Sequence, residues 1–315
     1  MNQIRPQLID QFPDMSETAR KLISLIPQCK WVENYFSYLN ENLRCLKSKQ
    51  RDDIIRRLVS TEDEKYHEAI AELAYISLWK HLSWSFEKDP NIGGQTPDFK
   101  VSGENFGFFC DVAVVRHNNP HEHVIIEKKE DLATPLPPCT DPIPIEQSHR
   151  FLMKIEEKFR KYQQICISCN TPLVIAFFLY DSADQFYLDD FQLARALYGE
   201  QTINFTTGEE YHQPKIMRTE HGESKVGILT FDEYKPLSAI IVCKQEFYRT
   251  SNELQLNPEP RYPLKCTFTF SVYPNPFGEW TDERKNPFPK EEFSVNGLVD
   301  IHSKTIKLYM LRSSV

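Results

Sequence analysis

Over residues 15–58 the apolar side chains Leu22, Ile23, Leu25 and Ile26 recur at helical spacing. Ser16 is placed to cap the first turn and no glycine interrupts the run, so a helical preface is expected. A second helix is expected from near Thr61, where Thr61-Glu62-Asp63-Glu64 has the form of a capping box, to about residue 84. Two runs of strand character follow, 96–101 and 106–115, with the polar turn Ser102-Gly103-Glu104-Asn105 between them, which predicts a hairpin. Residues 116–145 hold several His and Pro and are expected to be an irregular loop. The helical period returns over 144–167 through Phe151, Ile155, Phe159 and Tyr162. Residues 172–180 are apolar on both faces, as in a strand covered by helices on both sides, and this points to α/β layering. A short helix over 189–197 should end at Gly199. The stretch 200–235 is polar and weakly periodic and is expected to be a flexible insertion. Further strands are expected at 237–242, 265–272 and 305–311.

Composition narrows the class. Of the 315 residues, 40% are hydrophobic and 26% charged, as in ordinary soluble globular proteins. No apolar stretch approaches the roughly 18–20 residues that a bilayer span needs, and the first residues lack the pattern of a signal peptide. The expectation is a soluble, cytoplasmic protein with no membrane partner. The eight cysteines are scattered, which favours free thiols over a disulfide framework; Cys166 and Cys169 form a CxxC pair with no second pair at zinc-ligand spacing. A net charge of −8 argues against a chain that coats nucleic acid by bulk charge, while leaving room for a local basic groove. The segment 44–57 carries six Lys/Arg against two Asp, which reads either as such a groove or as a solvated helix face.

Three acids stand where packing does not explain them. Glu72 lies in a helix segment apolar around most of its circumference, so its carboxylate requires a metal, a basic partner or backbone donors, with Glu68 one turn earlier on the same face. Asp111 interrupts the apolar run Gly107-Phe-Phe-Cys-Asp-Val-Ala-Val-Val. Folding the hairpin sets Asp98, after Pro97, about opposite Asp111, within reach of one shared cation. His117, His121 and His123 could add ligands just past this strand, the alternative being a solvated loop.

The order helix Glu72, then Thr96-Pro97-Asp98-Phe99, then an apolar strand bearing Asp111, a helix with Lys158 and Tyr162 and the strand from Pro172 resembles the PD-(D/E)xK nuclease superfamily over about residues 61–182. The resemblance implies an α/β fold with a restriction-endonuclease-like core, a central mixed sheet flanked by helices. It divides the chain into a helical N-terminal extension (1–60), the core (61–200) and a strand-rich C-terminal extension (201–315). It also implies a hydrolase that cleaves phosphodiesters, in DNA rather than RNA, with Mg²⁺ or Mn²⁺ held by Glu72, Asp98, Asp111 and the Val112 carbonyl. The family's lysine, two residues beyond the second acid, is here Ala113. Lys158, in a place where a related branch carries Gln-x-x-x-Tyr, and Lys100, two residues after Asp98, are the candidates to replace it; the competing reading of Lys158 is an exposed cation paired with Glu156 or Glu157. The alternatives to an enzyme are a nuclease-fold subunit that binds nucleic acid or a protein partner without catalysis, and an interaction protein whose acids are paired with Lys or Arg. A homodimer is compatible with each.

Overall fold

The computed structural model describes residues 40–58, 60, 62–115, 143–179, 188–203, 210–213, 215–219, 222–247, 266–277, 287–288 and 304–309. The expectations for the earlier part of the helical preface, for most of the loop 116–145 and for His117, His121 and His123 lie outside them.

Helix α1 (Ser48–Leu58) buries Ile54, Ile55 and Leu58 and ends on Arg56 and Arg57, cations that suit the negative end of a helix. Helix α2 (Asp63–His81) is capped by Glu62 rather than Thr61, with no side-chain hydrogen bond to the first turn; Ser60 Oγ instead accepts from the Glu62 N–H at 3.1 Å. The helix stops three residues short of 84, because Ser83 takes a left-handed conformation with φ 57° and turns the chain into a short strand, β1 (Ser85–Lys88), absent from the sequence expectation. Strands β2 (Phe99–Ser102) and β3 (Gly107–Val115) form the expected hairpin, with Phe99 opposite Cys110. Its turn needs Gly103, where a Cβ would stand 2.2 Å from the Phe106 ring.

Helix α3 (Ile143–Cys169) leads into β4 (Leu173–Leu179), every residue of which is buried. Helix α4 (Asp190–Tyr198) begins at Asp189, whose carboxylate accepts from Gln192 N–H at 2.7 Å, and ends at Gly199 with φ 95°. Residues 200–235 depart from the expected insertion. They hold two hairpins, β5 (Glu200–Ile203) with β6 (Glu210–Gln213) and β7 (Lys215–Thr219) with β8 (Gly222–Val226), then two 3-10 turns. Val226, Ile228, Leu229 and Tyr234 go inside and anchor the segment on the core, while Ile216 stays exposed; buried positions this sparse do not show as a period. Strands β9 (Leu237–Phe247), β10 (Cys266–Pro274) and β11 (Lys304–Tyr309) complete the set.

Seven strands make one mixed sheet in the order β1-β2-β3-β4-β9-β10-β11, parallel at β3/β4 and β4/β9 and antiparallel elsewhere. The molecule is thus α/β, a mixed sheet flanked by helices. One face, carrying Cys110, Val174, Ala176, Phe178, Ile241 and Phe270, packs on α1 and α2. The other, carrying Phe109, Ala113, Ile175, Phe177 and Val242, packs on α3 and α4. Period-two alternation in β3 and β4 sorts the side chains between these layers. Tyr75 of α2 ties the centre together, its hydroxyl lying 2.7 Å from the Phe177 carbonyl and 3.2 Å from that of Ile241. Among the described residues no helix is long and apolar enough to cross a membrane.

Phe177 is fully buried in the middle strand with its ring 4.6 Å from that of Phe151. Phe177→Ala is expected to cost about 3–5 kcal/mol of unfolding free energy. Urea denaturation measures it, and a loss below about 1 kcal/mol would contradict a central packing role.

Candidate active site

The site forms where the first hairpin stops pairing. Strand β2 begins at Phe99, opposite Cys110, so Asp98 stands one position outside the ladder and opposite Asp111. Strand β3 runs on to Val115, and its Val112 N–H donates to Asp98 Oδ2 at 2.6 Å. Pro97 has no N–H to give to the ladder, which ends at Phe99, and the Val112 N–H finds its acceptor in the side chain of Asp98. The odd-numbered side chains of β3, Phe109, Ala113 and Val115, face α3, and Asp111 shares that parity.

Lys158 of α3 meets Asp111 there, with Nζ 2.5 Å from Oδ2. The competing partners are taken: Glu157 pairs with Lys154 at 2.8 Å, and Glu156 pairs with Arg160. One turn along α3, the Tyr162 hydroxyl donates to the Thr96 carbonyl at 3.1 Å and lies beside Asp111; burial first, then the Asp111 charge, raises its phenol above the usual range. Lys100 is exposed on β2, opposite Phe109. Cys166 and Cys169 are free thiols in the last turn of α3. Ala113 is buried on the α3 face of β3.

Glu72 belongs to the other layer. Arg57 grips its carboxylate with two hydrogen bonds, Nη1 to Oε1 at 2.8 Å and Nη2 to Oε2 at 2.9 Å, and Lys88 Nζ lies 2.7 Å from Oε2. Lys88 is paired in register with Phe99, has its ammonium 5.3 Å from that ring's centre and also meets Asp89 at 2.9 Å. Arg57 in turn meets Asp53 at 3.0 Å. The expectation that Glu72 shares a cation with the aspartates is therefore not what this geometry presents, since both its oxygens are held by basic side chains. Among the described residues no three His, Cys, Asp or Glu side chains converge as metal-holding groups do. Val112, expected to offer its carbonyl, offers its N–H to Asp98.

The electrostatics separate Glu72 from Asp98. Burial alone would raise the Glu72 carboxyl, but Lys88 and Arg57 outweigh it and hold the group below the ordinary glutamate value. Asp98 goes the other way. Burial, then the charges of Asp111 and Glu72, push it up to about 7 against the pull of Lys88 and the Val112 N–H. For Lys88 and Lys158 burial opposes the charged form, yet Glu72 beside the one and Asp111 beside the other raise both ammonium groups above the usual lysine value.

Sequence reasoning missed Arg57 as the partner of Glu72, and missed Lys88. The first lay within a basic run that looked like a solvated face. The second lay in a four-residue strand whose alternation, Phe86 and Lys88 turned inward, was the available signal. Comparisons with protein-family models, with curated proteins and with solved structures found no match to this chain.

Two opposite responses are expected. Glu72→Gln takes from Arg57 and Lys88 the buried anion they share, leaving only the more exposed Asp53 and Asp89, and should cost about 3–5 kcal/mol in chemical denaturation. Asp98 binds its proton more tightly folded than unfolded, so between about pH 4 and pH 7 the native state holds more protons and stability falls as pH rises. Asp98→Asn removes that loss. In metal-free buffer it should match the native chain at pH 4 and exceed it at pH 8, by up to about 4 kcal/mol for a shift of roughly three units; a variant less stable than the native chain at pH 8 would contradict the assignment.

Proposed function

We propose that the chain is a divalent-metal-dependent nuclease with a restriction-endonuclease-like core, hydrolysing phosphodiester bonds at the Asp98–Asp111 pair, with Lys158 in the role of the family's lysine. The observation that carries the reading is that Lys158 reaches across from α3 to Asp111, while Asp98 beside it is a half-buried carboxylate that meets no basic side chain at contact distance among the described residues. Residues two apart on a strand share a face, so a lysine at position 113 would project toward the same side as Asp111; with Ala113 there, the cation on that side comes from α3.

Two adjacent carboxylates are hard oxygen donors of the kind that hold Mg²⁺ or Mn²⁺ together with water and substrate phosphate. An ion held by Asp98 and Asp111 supplies Lewis acidity toward a phosphate oxygen and lowers the pKa of water. The protein's own groups do the rest. The Val112 N–H fixes the orientation of Asp98, and Tyr162, bonded to the Thr96 carbonyl, stands beside Asp111. Lys158 holds a fixed positive charge next to the reacting centre, where it orients the attacking water and offsets charge growing on the phosphate. Water forms the new P–O bond, the bond to the leaving oxygen breaks, and that oxygen takes up a proton as the attacking water loses one. DNA is the expected substrate.

A second reading is favoured by the capture of Glu72 and by Ala113: a nuclease-fold subunit that binds nucleic acid or a protein without cutting. Cleavage of single- and double-stranded DNA and RNA with Mg²⁺ or Mn²⁺ separates the two. The native chain should cut; Asp111→Asn should abolish cutting, and Lys158→Ala should lower the turnover rate by about 10²–10³-fold. No cleavage of any of these substrates would sink the enzymatic reading and favour the subunit.

A further inference from the structure

The charged side chains of the site form a chain of neighbours that runs around the end of β2. Arg57 holds Glu72, Glu72 holds Lys88, Lys88 lies near enough to Asp98 to lower its carboxyl, Asp98 adjoins Asp111, and Asp111 holds Lys158. Positive and negative alternate along this row with one exception. Asp98 and Asp111 are two anions side by side, with Lys88 near the one and Lys158 on the other, and among the described residues no ion pair joins a cation to Asp98. Everywhere else each carboxylate already has its counter-charge, and at Glu72 that counter-charge is tight: the side chains of Glu72 and Lys88 are 9% and 4% exposed, and their contact is 2.7 Å.

We propose that the centre takes a single divalent cation, between Asp98 and Asp111, and that Lys88 with Arg57 serves Glu72 as a built-in substitute for a second one. The inference rests on the nuclease reading and specifies its cofactor count. A divalent ion at Glu72 would have to displace an ammonium and a bidentate guanidinium from a buried carboxylate, leaving Lys88 with Asp89 alone and Arg57 with Asp53 alone, which is costlier than filling a place where like charges already repel. On the α2 face the protein has thus replaced a labile ion by covalently attached charge. Lys88 reaches that place because β1 pairs with β2 in the register that sets Lys88 opposite Phe99, beside the first residue of the gap.

The test counts Mn²⁺ ions bound per chain on the native protein, by electron paramagnetic resonance of free Mn²⁺ and by equilibrium dialysis. One tightly bound ion is expected, weakened by at least about tenfold in Asp98→Asn and in Asp111→Asn. Lys88→Gln, checked for folding by circular dichroism, is expected to admit a second, weaker ion as Glu72 loses its ammonium. Two ions on the native chain would overturn the single-ion inference while leaving the nuclease reading standing. One ion on a folded Lys88→Gln would overturn the role given to Lys88. No Mn²⁺ binding on the native chain at all would remove the nuclease reading itself. If Lys88→Gln does not fold, the native count and the two aspartate variants still decide the ion number.

Discussion

The backbone N–H of Val112 lies beyond the end of β2, where strand pairing has stopped, and Asp98 Oδ2 accepts from it at 2.6 Å. Much of the site follows from that bond. A backbone donor at the margin of a sheet needs an acceptor, and the β2/β3 ladder has ended at Phe99. Once Asp98 takes the task, its carboxylate is held beside Asp111, because the hairpin register puts the two opposite each other. Two carboxylates are thereby placed together in a region where water is scarce, and the proton affinity of Asp98 rises in consequence.

The sheet decides which charges help. Side chains on one face of β3 meet α3, and those on the other meet α2, so Glu72 and Asp111 occupy different layers although both serve the same strand end. On the α2 side, Arg57 and Lys88 neutralise Glu72 completely enough that it stays ionised while buried. On the α3 side, Lys158 neutralises Asp111, and Asp98 is left in excess. A buried ion pair is a weak source of stability against a hydrophobic alternative. Its value here is positional, since Arg57, Glu72 and Lys88 clamp α1, α2 and β1 to one another next to the start of β2.

The imbalance at Asp98 lowers the stability of the native state as pH rises toward 7, which an amide in its place would not do. The hydrophobic layers carry that burden. Strand β4 is buried throughout, flanked by β3 and β9, and the aromatic contacts of Phe177 with Phe151 and of Tyr75 with Phe270 stiffen the frame on both faces.

Local periodicity made much of this legible before any coordinates. The two strand-like runs within 96–115 and the polar turn between them marked a hairpin, the both-faced apolar run near 172–180 marked a covered strand, and an aspartate in the middle of an apolar strand singled out Asp111 because nothing nearby could justify its burial. Those inferences hold because side-chain direction repeats every two residues in a strand and every 3.6 in a helix, so a short window suffices. The partners of the charges needed the tertiary structure. That Glu72 is gripped by Arg57, fifteen residues away in another helix, that Lys88 comes from a strand of only four residues, and that Lys158 turns to Asp111 rather than to Glu157 depend on how helices cross the sheet. The same holds for β9, which lies beside β4 although the hairpins of 200–226 intervene in sequence. Burial and alternation are properties of a segment and can be read from it. The pairing of buried charges is settled by which segments meet, and a carboxylate looks the same in sequence whether it will meet a metal or an arginine.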